Sequence, residues 1–215
     1  MRTRVVLLCG VAVDPVVWEP TAELLSEQNF DVTVPRRPRS GDLATEVGFL
    51  APLCNDAVVF GVSGGATLGV ELASRGVDMM AAYLHEPAAG SLAPGLLDHV
   101  VEAFRAGGVP GFGHALYGPT WDPSMTTSDA ATVARELAIF RAFEPVRPAI
   151  DPSTITLTVG ADSPDVRHAS VTGLASAFGL RHRVLPGTSH AAHLDNAFHP
   201  VIAELQPVLG DRVTT

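Results

Sequence analysis

The chain has 215 residues, of which 47% are hydrophobic and 17% charged, and this composition is typical of one compact globular domain rather than of a disordered chain. The formal net charge of −9 disfavours a nucleic-acid partner, because proteins that follow phosphate backbones carry basic surfaces. Every basic side chain is arginine, and the absence of lysine excludes a P-loop lysine and a Schiff-base lysine.

The N-terminal sequence MRTRVVLLCGVAVDP has two arginines followed by an apolar run, as a signal peptide does. The run lacks a small-x-small cleavage pattern and is far shorter than the ~20 residues that span a bilayer. We therefore expect a first core strand at Arg4–Cys9 in a cytoplasmic protein, with no membrane partner. Cys9 and Cys54 form no CxxC pair, so we expect both to be buried thiols.

Short apolar runs alternate with helical patterns along the chain. The predicted strands are Arg4–Cys9, Asp31–Pro35, Ala57–Phe60, Ala81–His85, Thr154–Val159 and Arg181–Leu185. The predicted helices are Trp18–Glu27, Leu43–Leu53, Gly65–Ser74, Asp165–Phe178 and Ala192–Leu209. Continuous apolar runs are typical of strands buried on both faces. The sequence therefore predicts an α/β fold with a doubly wound, mostly parallel sheet of about six strands. The arginine cluster at 36–39 is predicted to be a solvated loop.

One segment, between Pro87 and Pro152, contains no convincing strand. Two helical patterns, Pro94–Ala106 and Ser128–Phe143, are joined there by the loop-like stretch GGVPGFGHALYGPTWDPSM. Loops this long inside compact domains are usually functional, often as lids. We expect residues 87–150 to form a small helical cap, and residues 1–86 and 151–215 to form the core.

The sequence around Ser63, Gly61-Val62-Ser63-Gly64-Gly65, matches the pattern G-x-S-x-G between a predicted strand and a predicted helix. In this context the serine lies at a sharp strand-to-helix turn with its hydroxyl exposed, and the helix N-terminus favours negative charge there. A plain glycine-rich turn and a dinucleotide loop are the alternatives. The stretch lacks G-x-G-x-x-G, and no acidic residue ends a strand about twenty residues later. We predict that Ser63 is a nucleophile.

A serine hydroxyl needs a base to remove its proton, so a histidine is required on a later loop. The stretch VLPGTSHAAHL follows the last predicted strand and precedes the last predicted helix. His190 in that stretch is the predicted base, and His193, three residues later, is its competitor.

The stretches LLCGVAVDPVVWEP, FGVSGGATLGVELA, YLHEPA, LTVGADSP and LPGTSHAAHL, in this order over nearly the whole chain, resemble the α/β-hydrolase superfamily. The resemblance implies a compact member with a Ser–acid–His triad on a parallel sheet beneath a helical cap. It also implies an oxyanion hole, for which we predict the backbone N–H groups of Val11, after the first strand, and Gly64, after the nucleophile.

The triad acid is predicted from the same resemblance. The family usually places it after the next-to-last strand, most often three residues past a glycine. That position is Ser163 here, counted from Gly160, so we predict Asp162, one residue earlier. Asp165 and Glu86, the latter in the sequence HEP, are the alternatives.

The predicted activity is serine-dependent hydrolysis of a small, largely apolar ester, thioester or lactone through an acyl-enzyme. A lyase, a C–C bond hydrolase and a ligand-binding protein with a silent triad are the alternatives on the same scaffold. No metal or organic cofactor is expected, a small-molecule substrate is the expected partner, and the oligomeric state is left open. Residues that either line the substrate pocket or pack the cap are Trp18, Phe112, His114, Leu116, Tyr117, Trp121 and Met125.

Overall fold

The computed structural model describes residues 2–210 of the chain. Its strands are β1 (Arg4–Leu8), β2 (Asp31–Thr33), β3 (Val58–Val62), β4 (Ala81–His85), β5 (Ile155–Gly160) and β6 (Arg181–Leu185). Within the described residues these form one six-stranded sheet in the order β2-β1-β3-β4-β5-β6, with every neighbouring pair parallel. The predicted α/β class with a parallel sheet is therefore confirmed. Residues 211–215, which end the predicted core, lie outside the described residues.

Burial in the sheet follows the apolar runs of the sequence. All five residues of β3 are buried, as are the last four of β1, and Phe60 of β3 stacks on Tyr83 of β4 with ring centroids 5.1 Å apart. Burying an aromatic or branched side chain of this size contributes about 1.5–3 kcal/mol. The edge strand β6 instead exposes Arg181 and His182, and such polar side chains discourage pairing with another chain.

Helices pack around this sheet. They are α1 (Glu19–Glu27), α2 (Leu43–Cys54), α3 (Gly64–Ser74), α4 (Asp98–Tyr117), α5 (Ala130–Ala142), α6 (Asp165–Phe178) and α7 (His199–Gly210). The Asp42 carboxylate accepts the Thr45 N–H at 2.8 Å at the start of α2, and Asp129 does the same for Thr132 at the start of α5. Among residues 2–210, none of the helices combines the length and apolar character that a membrane crossing requires.

The helix α4 runs through much of the stretch predicted as a loop. It is kinked at Gly108, with φ 60° and ψ −145°, and continues to Tyr117. Pro110 falls in the first turn after the kink, where its missing N–H leaves no hydrogen bond unmade. The loop prediction is wrong for this stretch because its glycine and proline bend and restart a helix. The cap boundaries at 87 and 150 stay a prediction.

The helix α7 begins at His199, seven residues later than predicted. Asn196 has φ 57°, a left-handed conformation that a right-handed helix cannot contain. The residues after His190 form turns instead, in which Leu194 N–H donates to the Ala191 carbonyl at 2.7 Å. His193 therefore lies in these turns and not in a helix.

The arginine cluster lies in a loop in which Arg36 is exposed, but the expectation of a solvated loop is wrong for Arg37 and Arg39. The Arg37 side chain is only 1% exposed, and its guanidinium pairs with Glu46 of α2 at 2.8 Å and with Glu136 of α5. Arg39 pairs with Asp14 at 2.9 Å. These carboxylates are distant along the sequence, which is why local composition did not reveal them. The pairs join α5 to the body of the fold. This helix belongs to the predicted cap, residues 87–150, which is called the inserted segment below.

Candidate active site

The chain bends sharply at Ser63, between β3 and α3. Ser63 has φ 57° and ψ −120°, a strained region for a residue with a side chain, and its N–H donates to the His85 carbonyl at 2.9 Å. A Cβ atom at Gly61 would lie 2.8 Å from the Ala66 nitrogen, and one at Gly65 would lie 2.2 Å from the Leu8 carbonyl oxygen. Only glycine fits at both positions, as the sequence pattern requires.

A carboxylate and a histidine meet at the carboxyl edge of the sheet. Glu86 directly follows β4 with φ 48°, and its Oε2 accepts a hydrogen bond from His190 Nδ1 at 2.7 Å. The second oxygen, Oε1, accepts the Gly160 N–H at 3.1 Å and the Ser163 hydroxyl. Glu86 is thus held from two sides, and it orients the imidazole of His190.

Burial sets the protonation of this pair. It lowers the pKa of His190 to about 4, helped by the positive charge of Arg167 and opposed by Glu86. Burial alone would raise the pKa of Glu86, but the hydrogen bond from His190 and the charge of Arg167 outweigh it and hold that pKa below its usual range. At neutral pH, His190 is therefore a neutral base beside an ionised carboxylate.

The other nitrogen of His190, Nε2, is buried and has no hydrogen-bond partner within residues 2–205. Tyr117 connects this ring to the serine. Its ring centroid lies 5.7 Å from that of His190, and its hydroxyl lies beside the Ser63 side chain. Burial raises the pKa of Tyr117 above its usual range, although the neighbouring Ser63 opposes the shift. Ser63 and His190 are thus neighbours of one tyrosine.

Backbone donors lie next to the serine in two places. Gly64 N–H is the first of α3, where no intrahelical acceptor exists. Val11 N–H, in the loop after β1, donates to no residue that the structure describes. That loop is fixed by the inserted segment, because the Tyr117 hydroxyl donates to the Val11 carbonyl at 2.8 Å and Trp121 Nε1 to the Ala12 carbonyl at 2.9 Å.

Comparisons with solved structures identify the fold. An enol-lactonase from Burkholderia xenovorans LB400 superposes with a TM-score of 0.70 at 20% identity, covering 100% of this chain and 92% of the other. A carboxylesterase structure from Nitrososphaera gargenis gives 0.67 at 14%, covering 98% and 92%, and the N-formylmaleamic acid deformylase from Pseudomonas putida S16 gives 0.68 at 18%, covering 96% and 92%. The chain has the α/β-hydrolase fold. No family model and no curated protein matches the sequence.

The predicted acid Asp162 is not at His190. In this α/β-hydrolase fold its side chain is exposed, and its N–H donates to the Thr188 carbonyl at 2.9 Å. The backbone at Gly160 packs closely on the same loop, since a Cβ there would lie 2.4 Å from the Thr188 oxygen. The inward position belongs to Ser163, whose hydroxyl bonds Glu86. The carboxylate that the structure places against His190 is that of Glu86 and not that of Asp162, and Asp165 is also exposed, at the start of α6.

A narrow cavity of about 20 Å³ lies beside Ser63. Val11, Gly64 and Glu86 line it together with Ser63. Its remaining wall is mostly apolar and includes Leu97, Val100, Phe112, Leu116, Leu137 and Phe140. Two of the seven predicted pocket residues, Phe112 and Leu116, are therefore in it.

The other predicted pocket residues lie elsewhere. Trp18 is buried against His193 and Phe198, with ring centroids 5.2 and 5.7 Å away. Trp121 and Tyr117 are buried and support the loop after β1, as described above. His114 is exposed against the edge of Trp121, and Met125 is half-buried. Tyr117 and Trp121 thus pack the inserted segment onto the body, which was the second interpretation of the sequence pattern.

Arg167, in the first turn of α6, also lines the cavity, and the sequence analysis did not select it. Its side chain is 5% exposed, with Nε 3.7 Å from Glu86 Oε2. The one available signal was its place just after the carboxyl end of β5, the sheet edge at which ligands bind in open α/β sheets. His193 is fully buried between Trp18 and Tyr117, and neither of its ring nitrogens has a hydrogen-bond partner within the described side chains.

Cys9 and Cys54 are both buried free thiols, and burial raises the pKa of each to about 12. They are therefore protonated and unreactive at neutral pH.

Proposed function

We propose that this protein is a serine hydrolase that cleaves a small, largely apolar ester, thioester or lactone. The observation that carries the proposal is the 2.7 Å bond from His190 to Glu86, which leaves a neutral, unpartnered Nε2 near the strained serine at 63. A nucleophile, a base and an oriented acid are the parts that acyl transfer needs.

In the proposed reaction, Ser63 Oγ attacks the substrate carbonyl while His190 Nε2 accepts its proton. The Glu86 carboxylate holds the Nδ1–H and stabilises the imidazolium as it forms. The N–H groups of Val11 and Gly64 receive the oxyanion, and each such donor is typically worth a factor of about 10²–10³ in rate. His190 then protonates the leaving group, and water releases the acyl group from Ser63 by the reverse sequence.

The cavity and the comparisons support the class of substrate. The cavity beside Ser63 has a mostly apolar wall, which suits a largely apolar acyl group. Proteins with the same fold include an enol-lactonase, a carboxylesterase, a deformylase and an N-acyl homoserine lactone degrading enzyme, all of which hydrolyse acyl bonds.

A fluorophosphonate probe, which reacts with activated serines, tests the proposal directly. We expect stoichiometric labelling of the folded wild-type protein at Ser63, and turnover of short p-nitrophenyl esters. Ser63→Ala abolishes both. Ser91→Ala, which removes a serine on the far side of Ala88 and Ala89, is the matched control and keeps both. A folded wild-type protein that remains unlabelled would contradict the proposal, whereas labelling without ester turnover would indicate another reaction of the same nucleophile.

A further inference from the structure

The cavity beside Ser63 contains a buried cation. The Arg167 side chain is 5% exposed, and it lies among apolar residues such as Val100, Phe112 and Leu137. Arginine stays protonated in proteins, so its charge and its five N–H donors are present in this small space. A buried charge is costly unless acceptors surround it.

The donors of Arg167 are not used by the protein. Its side chain makes no hydrogen bond with any residue in the described part of the chain. The nearest carboxylate is Glu86, 3.7 Å from Nε, which is an ion-pair distance and not a hydrogen bond. Glu86 already accepts bonds from His190, Gly160 and Ser163. The guanidinium therefore presents free donors to the cavity that Ser63 lines.

We propose that Arg167 binds a carboxylate of the substrate, so that the preferred substrates are small apolar esters or lactones that also carry a free acid group. A guanidinium offers two parallel N–H groups, which match the two oxygens of a carboxylate. This inference rests on the proposed hydrolase function and specifies its substrate class. Water adds across the acyl bond, the leaving group takes its proton from His190, and the carboxylate held by Arg167 is unchanged.

The charges of the site agree with this assignment. Within the described lining of the cavity, Glu86 and Arg167 are the charged residues, and Glu86 is the partner of His190. Arg167 is therefore the cation in this lining with which a substrate carboxylate can pair, although it also lies 3.7 Å from Glu86. Burial also lowers the pKa of Arg167, which is the penalty that a bound carboxylate would relieve.

A matched substrate pair tests the assignment. Mono-p-nitrophenyl glutarate carries a free carboxylate, and p-nitrophenyl pentanoate has the same acyl chain length without it. We expect the wild-type protein to favour the glutarate in kcat/KM. Arg167→Met should lower kcat/KM roughly 10- to 100-fold more for the glutarate than for the pentanoate, the range expected for losing a hydrogen-bonded ion pair, whatever loss the two esters share through Glu86. Arg167→Lys keeps the charge, so its kcat/KM for the glutarate should lie between that of the wild type and that of Arg167→Met.

Arg141→Met is the control, because Arg141 is exposed outside the cavity and pairs with Asp98 at 3.8 Å. It should leave the preference unchanged. A wild-type preference for the neutral ester overturns the inference without any variant. Equal losses on both esters in a folded Arg167→Met protein also overturn it, because they would mean that Arg167 only positions Glu86.

Binding can be measured apart from turnover. Free glutarate should raise the Tm of the wild-type protein and of Ser63→Ala, but not that of Arg167→Met. If neither ester is hydrolysed while glutarate still gives this pattern, the proposed hydrolase function fails and the anion site stands. If esters are hydrolysed and glutarate changes no Tm at millimolar concentration, the anion site fails and the hydrolase stands.

Discussion

Two residues with side chains adopt left-handed backbone conformations at the ends of neighbouring strands. Ser63 after β3 has φ 57°, and Glu86 after β4 has φ 48°. Strain of this kind costs on the order of 1–3 kcal/mol per residue and persists only where surrounding contacts enforce it. Here the enforcing contacts are the Ser63 N–H bond to His85 and the bonds of Gly160 and Ser163 to Glu86. Both bends bring a functional side chain to the same edge of the sheet.

The sequence could select Ser63 and His190 as candidate residues, because each has a local signal in its own loop. The acid had no such signal. Glu86 reaches His190 across 104 residues of chain, and what decides between it and Asp162 is the course of the loop after β5. A hydroxyl at Ser163 occupies the inward position and bonds Glu86. That choice depends on packing between β4, β5 and the His190 loop, which no short stretch of sequence contains.

Replacing Glu86 by its amide should greatly lower the rate of the proposed reaction. Glu86→Gln keeps the size but loses the charge that orients His190 and stabilises its imidazolium, so we expect kcat to fall by about 10⁴, as for other triad acids changed to amides. Asp162→Asn is the matched control, because that carboxylate is exposed, and its kcat should stay within about twofold. Steady-state kinetics on p-nitrophenyl acetate measures both. The reverse ranking of the two variants would restore Asp162 as the acid.

At the scale of elements, strands were easier to predict than the ends of helices. The sequence predicted all six strands. Burial on both faces leaves few polar residues in strands such as β1 and β3, whereas the edge strands β2 and β6 are mostly exposed. Helix ends depended on single residues. Pro110 looked like a helix breaker but sits in a first turn, and Asn196 delays α7 by adopting a left-handed conformation. Helix propensities of the residue types predict neither outcome, because each outcome depends on the φ and ψ angles of a single residue.

The junction of β1, β3 and α3 should tolerate no side chain at residue 65. Gly65→Ala would put a methyl group 2.2 Å from the Leu8 carbonyl oxygen, which is backbone and cannot turn aside. We expect a loss of about 3 kcal/mol in the free energy of unfolding, at the upper end for overpacked sites. Gly173→Ala, inside α6 with no atom within 4 Å of the new methyl group, should instead add about 0.5–1 kcal/mol. Urea unfolding compares the two, and an unchanged midpoint for Gly65→Ala would refute the tight junction.

At the scale of the whole molecule, the inserted helices and the body are joined through polar groups at buried positions. Arg37 bonds Glu46 of α2 and Glu136 of α5, and all three side chains are 1% exposed. Such pairs add little net stability compared with apolar packing, but they fix one arrangement because every misaligned one leaves a buried charge unpaired. The same segment supplies Tyr117 and Trp121, which hold the loop that carries Val11. The placement of this segment and the position of the Val11 backbone therefore depend on the same contacts.

Buried histidines make the stability of the whole molecule sensitive to acid. Burial lowers the pKa of His193 to about 3 and that of His190 to about 4, whereas an unfolded histidine has a pKa of about 6.5. As pH falls below 6.5, these two histidines become protonated in the unfolded chain but stay neutral in the folded chain, so the free energy of unfolding falls. Each histidine should contribute a loss of about 2 kcal/mol between pH 7 and pH 5. Glu86, with its lowered pKa, adds a further loss below about pH 4.5.

His193→Leu isolates one of these contributions, because leucine has a similar volume and fills the site without its two unpartnered nitrogens. Between pH 6 and pH 5, the free energy of unfolding should fall less steeply in the variant than in the wild type, by about 1.4 kcal/mol per pH unit, which corresponds to one proton. At pH 5 the variant should be at least as stable as the wild type. His182→Leu, on the exposed edge strand β6, removes an imidazole from the surface and should keep the wild-type slope. Urea unfolding at pH 7, 6 and 5 gives the slopes. Parallel lines for wild type and His193→Leu would mean that His193 binds its proton equally in both states, and that its site is open to water.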